Sequence, residues 1–137
     1  MITGIAHFCI ASTDLDQTLA FYTQALGFKK RFAFLRDDKE IGYYLQIADR
    51  AYVEVFLQEH APSLEQPAIR HMCLQVDGID HTLRQIRQAG YEASDKKLGA
   101  DHTWQAWTTD PDGIRIELHE YTEQSSQYTG QDVTVDW

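Results

Sequence analysis

The stretch His71-Met72-Cys73-Leu74 repeats the pattern of His7-Phe8-Cys9-Ile10, which lies 71 − 7 = 64 residues earlier. After the loss of one residue, an offset of 63 carries Gly27 onto Gly90. A repeat of this length that preserves apolar spacing indicates that two modules share one architecture.

The repeat also preserves polar residues. The offset of 63 aligns residues 51–56 with residues 114–119, so Glu54 and Glu117 occupy equivalent positions of the repeat. Each half therefore carries one histidine near its start and one glutamate near its end, at His7 and Glu54 and at His71 and Glu117. Shared architecture alone does not explain two potential metal ligands in each half.

Apolar periodicity predicts the order β-α-β-β-β in each half. Asp14 and Gln17 form a capping box before a helix, and Gly27 follows its end. The inward face of that helix is predicted to hold Leu15, Leu19, Tyr22 and Leu26. The predicted strands of the first half are Ile5–Ala11, Lys29–Arg36, Ile41–Ile47 and Ala51–Gln58. The second half is predicted as strand Ile69–Val76, helix Ile79–Ala89 with Ile79, Leu83 and Ile86 inward, and strands Tyr91–Lys97, Thr103–Thr109 and Ile114–Tyr121.

The length of 137 residues fits one domain. We expect an α+β fold of two paired βαβββ modules at about 4–59 and 68–121, with a linker at 60–67 and a tail at 122–137. Either half is too short to be robust by itself, so paired modules are favoured over two domains. The terminal pattern of Val133, Val135 and Trp137 predicts an edge strand, or an arm docked on the body or on a partner subunit.

The net charge is −9, and no basic stripe is present. This balance argues against nucleic acid and anionic membranes as partners. Without a leader or a long apolar run, a cytoplasmic protein is expected. Cys9 and Cys73 are predicted to be buried free thiols rather than a disulfide.

Strand parity points to a metal site. Val53 and Val55 point toward the helix of the first module, so Glu54 between them faces the other way. The same parity separates Ile116 and Leu118 from Glu117. We therefore expect the concave face of the sheet to carry the four residues His7, Glu54, His71 and Glu117. Two imidazoles and two carboxylates suit Zn²⁺, Ni²⁺, Fe²⁺, Co²⁺ or Mn²⁺, and leave two octahedral positions for water or a chelating substrate.

Other residues are weaker candidates for the site. His119 shares the face of Glu117, and His102 lies in a loop before a strand, so either can contact substrate. Five further residues can line a pocket or simply pack: Gln75, Tyr52, Phe56, Trp107 and Arg115. Lys96 and Lys97 can hold an anionic group of a substrate or form a solvated face.

The chain resembles the vicinal oxygen chelate superfamily, which includes glyoxalase I, bleomycin and fosfomycin resistance proteins and extradiol dioxygenases. The resemblance covers residues 4 to about 121 and is most specific at Asp110-Pro111-Asp112-Gly113 through Glu117. The other matching stretches are Gly4-Ile5-Ala6-His7, Thr18–Tyr22 through Leu26-Gly27-Phe28, and Ile69-Arg70-His71.

The resemblance is strongest to glyoxalase I-type lyases, and it implies curved sheets around a metal and the ligands His7, Glu54, His71 and Glu117. The implied activity is that of a metal-dependent lyase or isomerase, which transfers a proton next to a carbonyl through a metal-bound enediolate, with Glu54 and Glu117 as catalytic bases. An Fe(II)-dependent ring-cleaving dioxygenase and a non-catalytic small-molecule-binding resistance protein are the alternatives. Glutathione adducts, coenzyme A esters, sugars and keto acids all stay open as the carbonyl-containing substrate.

Because superfamily members close their metal sites within a chain or across a dimer, we expect a homodimer with the C-terminal arm near its interface.

Overall fold

Each half of the chain folds as a strand, a helix and further strands in the computed structural model of the protein. The structure describes residues 1, 3–60, 63, 65 and 67–134. Two compact units are present: unit 1 is Met1–Glu65 with Asp110–Asp112, and unit 2 is Gln66–Thr109 with Gly113–Trp137. Of the predicted linker, residues 61, 62, 64 and 66 lie outside the described residues.

Unit 1 is a four-stranded mixed sheet with one helical segment. Its strands lie in the order β1-β4-β3-β2; β1 and β4 are parallel, and the other neighbours are antiparallel. The elements are β1 (His7–Ser12), α1 (Leu15–Ala20) continuing as a π-helical turn (Phe21–Ala25), β2 (Lys29–Arg36), β3 (Lys39–Ala48) and β4 (Ala51–Leu57).

The helix of unit 1 begins as the sequence predicts. The Asp14 side chain accepts hydrogen bonds from the backbone N–H groups of Asp16 and Gln17, which satisfies two donors that have no partner within the helix. Gly27 adopts φ 73°, a conformation that favours glycine, just beyond the helical segment.

The predicted inward face of this helix needs correction. The buried residues are Thr18, Phe21, Tyr22 and Ala25, while the predicted Leu15, Leu19 and Leu26 are only half-buried. The buried residues still recur at i, i+3, i+4 and i+7, so the helical period holds; the prediction followed the leucines and left out the smaller Thr18 and Ala25. Thr18 is tolerated in the core because its hydroxyl lies 2.8 Å from the Ser12 hydroxyl.

Unit 2 repeats the same strand order, β5-β8-β7-β6. The elements are β5 (Met72–Gln75), α2 (Ile79–Gln88), β6 (Lys97–Leu98), β7 (Trp104–Thr109), β8 (Arg115–Glu120) and α3 (Ser126–Thr129). The predicted α+β fold of two βαβββ modules is confirmed. The predicted strand at 91–97 is wrong, because only Ala93 bridges to β7, at Thr108, before the short β6 begins.

The apolar positions assigned by parity form the cores. Val53 and Val55 are fully buried in unit 1, and Ile116 and Leu118 are buried in unit 2. The predicted inward residues of α2, which are Ile79, Leu83 and Ile86, are buried as well. Each such side chain contributes about 1.5–3 kcal/mol of burial free energy. The opposite face of each strand is therefore left for polar residues.

The beginning of the tail folds onto unit 2. Ser126 donates its backbone N–H to the Asp101 carbonyl at 2.9 Å, and Gln127 Nε2 donates to the Asp101 carboxylate at 2.7 Å. Residues 130–134 have no regular structure, and Val133 is exposed. Val135 and Trp137 of the predicted arm lie outside the described residues. Across the described residues, no helix is both long enough and apolar enough to span a membrane.

Candidate metal centre

Parallel pairing of β1 and β4 brings the first histidine to the first glutamate. His7 begins β1, and Glu54 lies in the middle of β4 opposite Cys9. His7 Nε2 is 3.8 Å from Glu54 Oε2, and the two side chains are 42% and 21% exposed. Unit 1 thus presents an imidazole and a carboxylate side by side on a face that solvent reaches.

Tyr44 on β3 holds the other nitrogen of this histidine. The Tyr44 hydroxyl lies 3.0 Å from His7 Nδ1, and the rings meet edge to face at 5.7 Å. A metal-binding histidine is usually oriented in this way, through a hydrogen bond at the nitrogen that does not bind the ion. The contact leaves His7 Nε2, the nitrogen nearer Glu54, available as a ligand.

In unit 2 the equivalent histidine and glutamate lie closer together. His71 directly precedes β5, and its Nε2 is 3.1 Å from Oε2 of Glu117 on β8. The side chains are 37% and 11% exposed, so Glu117 is better shielded than Glu54. Trp107 meets the His71 ring edge-on at 5.0 Å, and the Arg115 guanidinium lies 4.3 Å above the Trp107 ring.

A second imidazole reaches the other oxygen of Glu117. His119 Nε2 is 3.2 Å from Glu117 Oε1, and His119 is only 9% exposed. This nitrogen is buried and lacks a hydrogen bond within the described part of the chain. Cys73 Sγ completes the group, since one donor atom from each of Cys73, Glu117 and His119 lies within 4.8 Å of the others.

The two cysteines are free, as predicted, but they are exposed rather than buried. Each lies next to a glutamate, because Cys9 pairs in register with Glu54 and Cys73 with Glu117. Partial desolvation of the sulfur, with the charge of Glu117 and a hydrogen bond to it, raises the pKa of the Cys73 thiol to about 12. Desolvation, followed by the influence of Glu54, also raises the pKa of Cys9.

Aromatic side chains cover the face of unit 1 next to the His7–Glu54 pair. Phe32 stacks on Tyr44 at 4.8 Å between ring centroids, and Phe34 contacts Phe56 at 4.7 Å. Tyr52 lies 5.1 Å from Tyr44. This surface offers ring faces to the apolar part of a small molecule.

The structure brings His7 to Glu54 within unit 1 and His71 to Glu117 within unit 2. Each unit thus offers an imidazole and a carboxylate, donor types that borderline divalent ions accept, and the orphaned His119 nitrogen adds a further donor beside Glu117. The residues present therefore fit a metal.

Among the weaker candidates, His119 joins the unit 2 group. The described contacts of His102 are made by its backbone carbonyl, which accepts hydrogen bonds from Thr122 and Ser125. Lys96 pairs with Asp80 at 2.5 Å and covers the Trp104 ring, so it has a structural role.

Two contacts were missed from the sequence. Tyr44 is predicted only as part of a strand, although it lies opposite Glu54 in the antiparallel β3–β4 register. Cys73 is predicted above as a buried free thiol and not as a metal donor. Its spacing of two residues from His71 was the available signal.

Comparison with known proteins agrees with this architecture. Residues 4–118 match the family model described as the Glyoxalase/Bleomycin resistance protein/Dioxygenase superfamily. Lactoylglutathione lyase of Salmonella typhimurium is 31% identical over 129 residues, which cover 85% of this chain and 91% of that protein.

Two solved structures show the same fold. A glyoxalase family protein from Enterococcus faecalis is 24% identical with a TM-score of 0.73, and the match covers 85% of this chain and 97% of that one. A fosfomycin resistance protein from Listeria monocytogenes, solved with Mn(II) and a dihydroxypropylphosphonic acid, is 19% identical with a TM-score of 0.71, covering 94% and 99%. The chain belongs to the glyoxalase/bleomycin resistance protein/dioxygenase superfamily.

Proposed function

We propose that this protein is a metal-dependent lyase or isomerase of the glyoxalase I type, which moves a proton between carbons next to a carbonyl. The observation that carries the proposal is the His–Glu pair built at equivalent strand positions of both units. Together His7, Glu54, His71 and Glu117 would hold one divalent ion: Zn²⁺, Ni²⁺, Fe²⁺, Co²⁺ or Mn²⁺. The ion, when bound, polarises the substrate carbonyl and makes the neighbouring C–H more acidic.

The two glutamates have different roles in this proposal. Both oxygens of Glu117 face imidazoles, at 3.1 and 3.2 Å, so this carboxylate is held in place. Glu54 has one imidazole at 3.8 Å and is more exposed. Glu54 is therefore the base that removes the proton and returns it to the adjacent carbon, and Glu117 anchors the site.

The substrate would be a small carbonyl compound with an apolar part. The name of the Salmonella relative gives lactoylglutathione, a thioester whose isomer is a hemithioacetal of glutathione. Interconversion of these isomers moves one proton between neighbouring carbons and a second proton between their oxygens, so it is balanced without a co-reactant. The rings of Phe32, Phe34 and Phe56 would contact the carbon chain next to the reacting group.

The two pairs would meet either within one chain or across a homodimer, and two inactive variants distinguish these arrangements. His7→Ala and His71→Ala each remove one ligand. If the site spans two subunits, mixing the variants restores up to about a quarter of the activity, since one site in a mixed dimer regains all four ligands. Light scattering gives the oligomeric state; a monomer with a filled site would exclude the dimeric arrangement.

The reaction class is tested with purified protein of measured metal content. The wild type should contain a stoichiometric divalent ion and should exchange the hydrogen next to the substrate carbonyl with D₂O. Glu54→Gln keeps a similar shape and an oxygen donor but removes the base, so exchange should fall by about 10²–10⁴-fold. Oxygen uptake during turnover, or full exchange in Glu54→Gln, would contradict the proposal and favour a dioxygenase.

A further inference from the structure

The group Cys73, Glu117 and His119 lies wholly within unit 2, and its chemistry differs from that of the His–Glu pairs. A thiolate adds a soft ligand to an imidazole and a carboxylate, and this combination selects thiophilic ions. We propose that unit 2 alone holds a zinc site formed by Cys73 Sγ, Glu117 Oε1 and His119 Nε2. The site goes beyond the proposed function because it needs neither His7 nor Glu54.

The state of His119 is the strongest evidence for this site. Its Nε2 is buried, has no hydrogen bond within the described residues and points at Glu117 Oε1, 3.2 Å away. A buried nitrogen without a hydrogen bond has lost its contact with water and gained no partner in return, which destabilises the fold. An ion bound between this nitrogen, the carboxylate and the thiol would recover that cost.

The geometry also gives an ion a way in and an open position. Cys73 is exposed, so an ion can approach through the thiol while Glu117 and His119 form the inner wall. Three protein ligands leave one corner of a tetrahedron for water. The thiol proton passes to solvent when zinc binds. His71 contacts the other oxygen of Glu117, so the carboxylate can keep that contact.

Unit 1 supplies a matched control within the same chain. Cys9 lies beside Glu54 as Cys73 lies beside Glu117. The residue of unit 1 at the position of His119 is Phe56, 63 residues earlier, and a phenyl ring cannot bind a metal. Unit 1 therefore lacks the donor at the position of His119, and its own imidazole, His7, is the counterpart of His71, so no equivalent site is expected there.

The test uses the full-length, metal-free protein with Co²⁺ as the spectroscopic probe. One equivalent of Co²⁺ should produce a near-ultraviolet thiolate-to-cobalt charge-transfer band, and one equivalent of Zn²⁺ should remove it. Cys73→Ser should abolish the band, and His119→Gln should weaken Co²⁺ binding at least about tenfold. Cys9→Ser should leave the band unchanged. Circular dichroism checks that each variant is folded, and Cys73→Ser decides the result if His119→Gln does not fold.

A double variant separates this site from the proposed enzyme. His7→Ala with Glu54→Gln should lose the proton-transfer activity but keep the charge-transfer band. No band in the wild type up to millimolar Co²⁺, a band that survives Cys73→Ser, or equal loss in Cys9→Ser would overturn the zinc site. Glu117 belongs to both proposed sites, but the band reports only the thiol of Cys73, and Cys73→Ser keeps His7, Glu54, His71 and Glu117 for the exchange assay in D₂O. Either proposal can therefore fail alone.

Discussion

The two units have the same strand order and an equivalent His–Glu pair, but the surroundings of the pair differ. Tyr44 beside His7 corresponds to Trp107 beside His71, and Phe56 corresponds to His119, each 63 residues apart. Unit 1 orients its histidine with a hydroxyl group and surrounds the pair with aromatic rings. Unit 2 surrounds its glutamate with a second imidazole and a thiol.

This difference arises from the side chains and not from the backbone repeat. Strand parity requires only that the histidine and the glutamate share a face. The neighbours at alternate positions then decide whether that face is apolar and open, as around Glu54, or polar and shielded, as around Glu117. In the proposed function, unit 1 accordingly contacts the substrate and unit 2 anchors the ion.

The largest expected effect compares the two glutamates. Glu117→Gln should weaken metal binding more than Glu54→Gln, because Glu117 lies at 3.1 and 3.2 Å from two imidazoles and Glu54 at 3.8 Å from one. We expect a difference of at least tenfold in the dissociation constant, measured by competition with a metal indicator. Equal losses in the two variants would show that the units contribute alike.

The next largest expected effect is on the free energy of unfolding, and it compares one core residue from each unit. Tyr22 in unit 1 corresponds to Ile86 in unit 2, 64 residues later, and both are fully buried. The Tyr22 hydroxyl donates to Asp110 Oδ2 at 3.0 Å. Tyr22→Phe should lower the free energy of unfolding by about 1–3 kcal/mol, because it removes a buried hydrogen bond to a carboxyl group.

The matched variant in unit 2 is Ile86→Val, which removes one methylene and should cost about 0.5–1.5 kcal/mol. Urea unfolding of both variants gives the comparison. If Tyr22→Phe proves neutral, the hydroxyl contributes nothing net to stability, and the buried tyrosine is there for its ring alone.

A smaller effect distinguishes the helix starts. Asp14 directly precedes α1 and caps that helix with its own side chain. In contrast, α2 begins after Gly78, and the Gly78 N–H donates a hydrogen bond to Glu120 of β8 at 2.8 Å. Asp14→Ala should cost about 1 kcal/mol. Glu120 also accepts the Ile79 N–H, at 3.3 Å through its other oxygen. Glu120→Gln should still cost less than Asp14→Ala, because the amide oxygen keeps the shorter bond and only the longer one is lost. Thermal or urea unfolding measures both, and a larger loss in Glu120→Gln would show that α2 needs the carboxylate charge.

The smallest expected effect is the gain of a metal site in unit 1. In a Cys73→Ser background, Phe56→His gives unit 1 the third donor beside Cys9 and Glu54. A Co²⁺ charge-transfer band should return, with binding at least about tenfold weaker than in wild-type unit 2, because Glu54 is more exposed and Phe56 also leaves its contact with Phe34. A band as strong as that of the wild type would mean that shielding of the carboxylate is unimportant.

The repeat, the order of elements in each unit and the face of each candidate ligand could be predicted from local sequence patterns. These features depend on local chemistry: the period of two along strands, the cap at Asp14 and the left-handed turn at Gly27. The buried pairs Val53 and Val55 and Ile116 and Leu118 followed from the same alternation. The predicted face was wrong at the helix of unit 1, where Thr18 and Ala25 are buried in place of the leucines.

The contacts among the candidate ligands and their neighbours could be seen only in the tertiary structure. The hydrogen bond between Tyr44 and His7 joins residues 37 apart, and the contact of Glu117 with His71 depends on the pairing of β5 with β8. The sequence placed His119 and Glu117 on one face but could not show that His119 Nε2 is buried without a hydrogen bond. Burial and distance come from strands that lie far apart along the chain, so no local pattern encodes them.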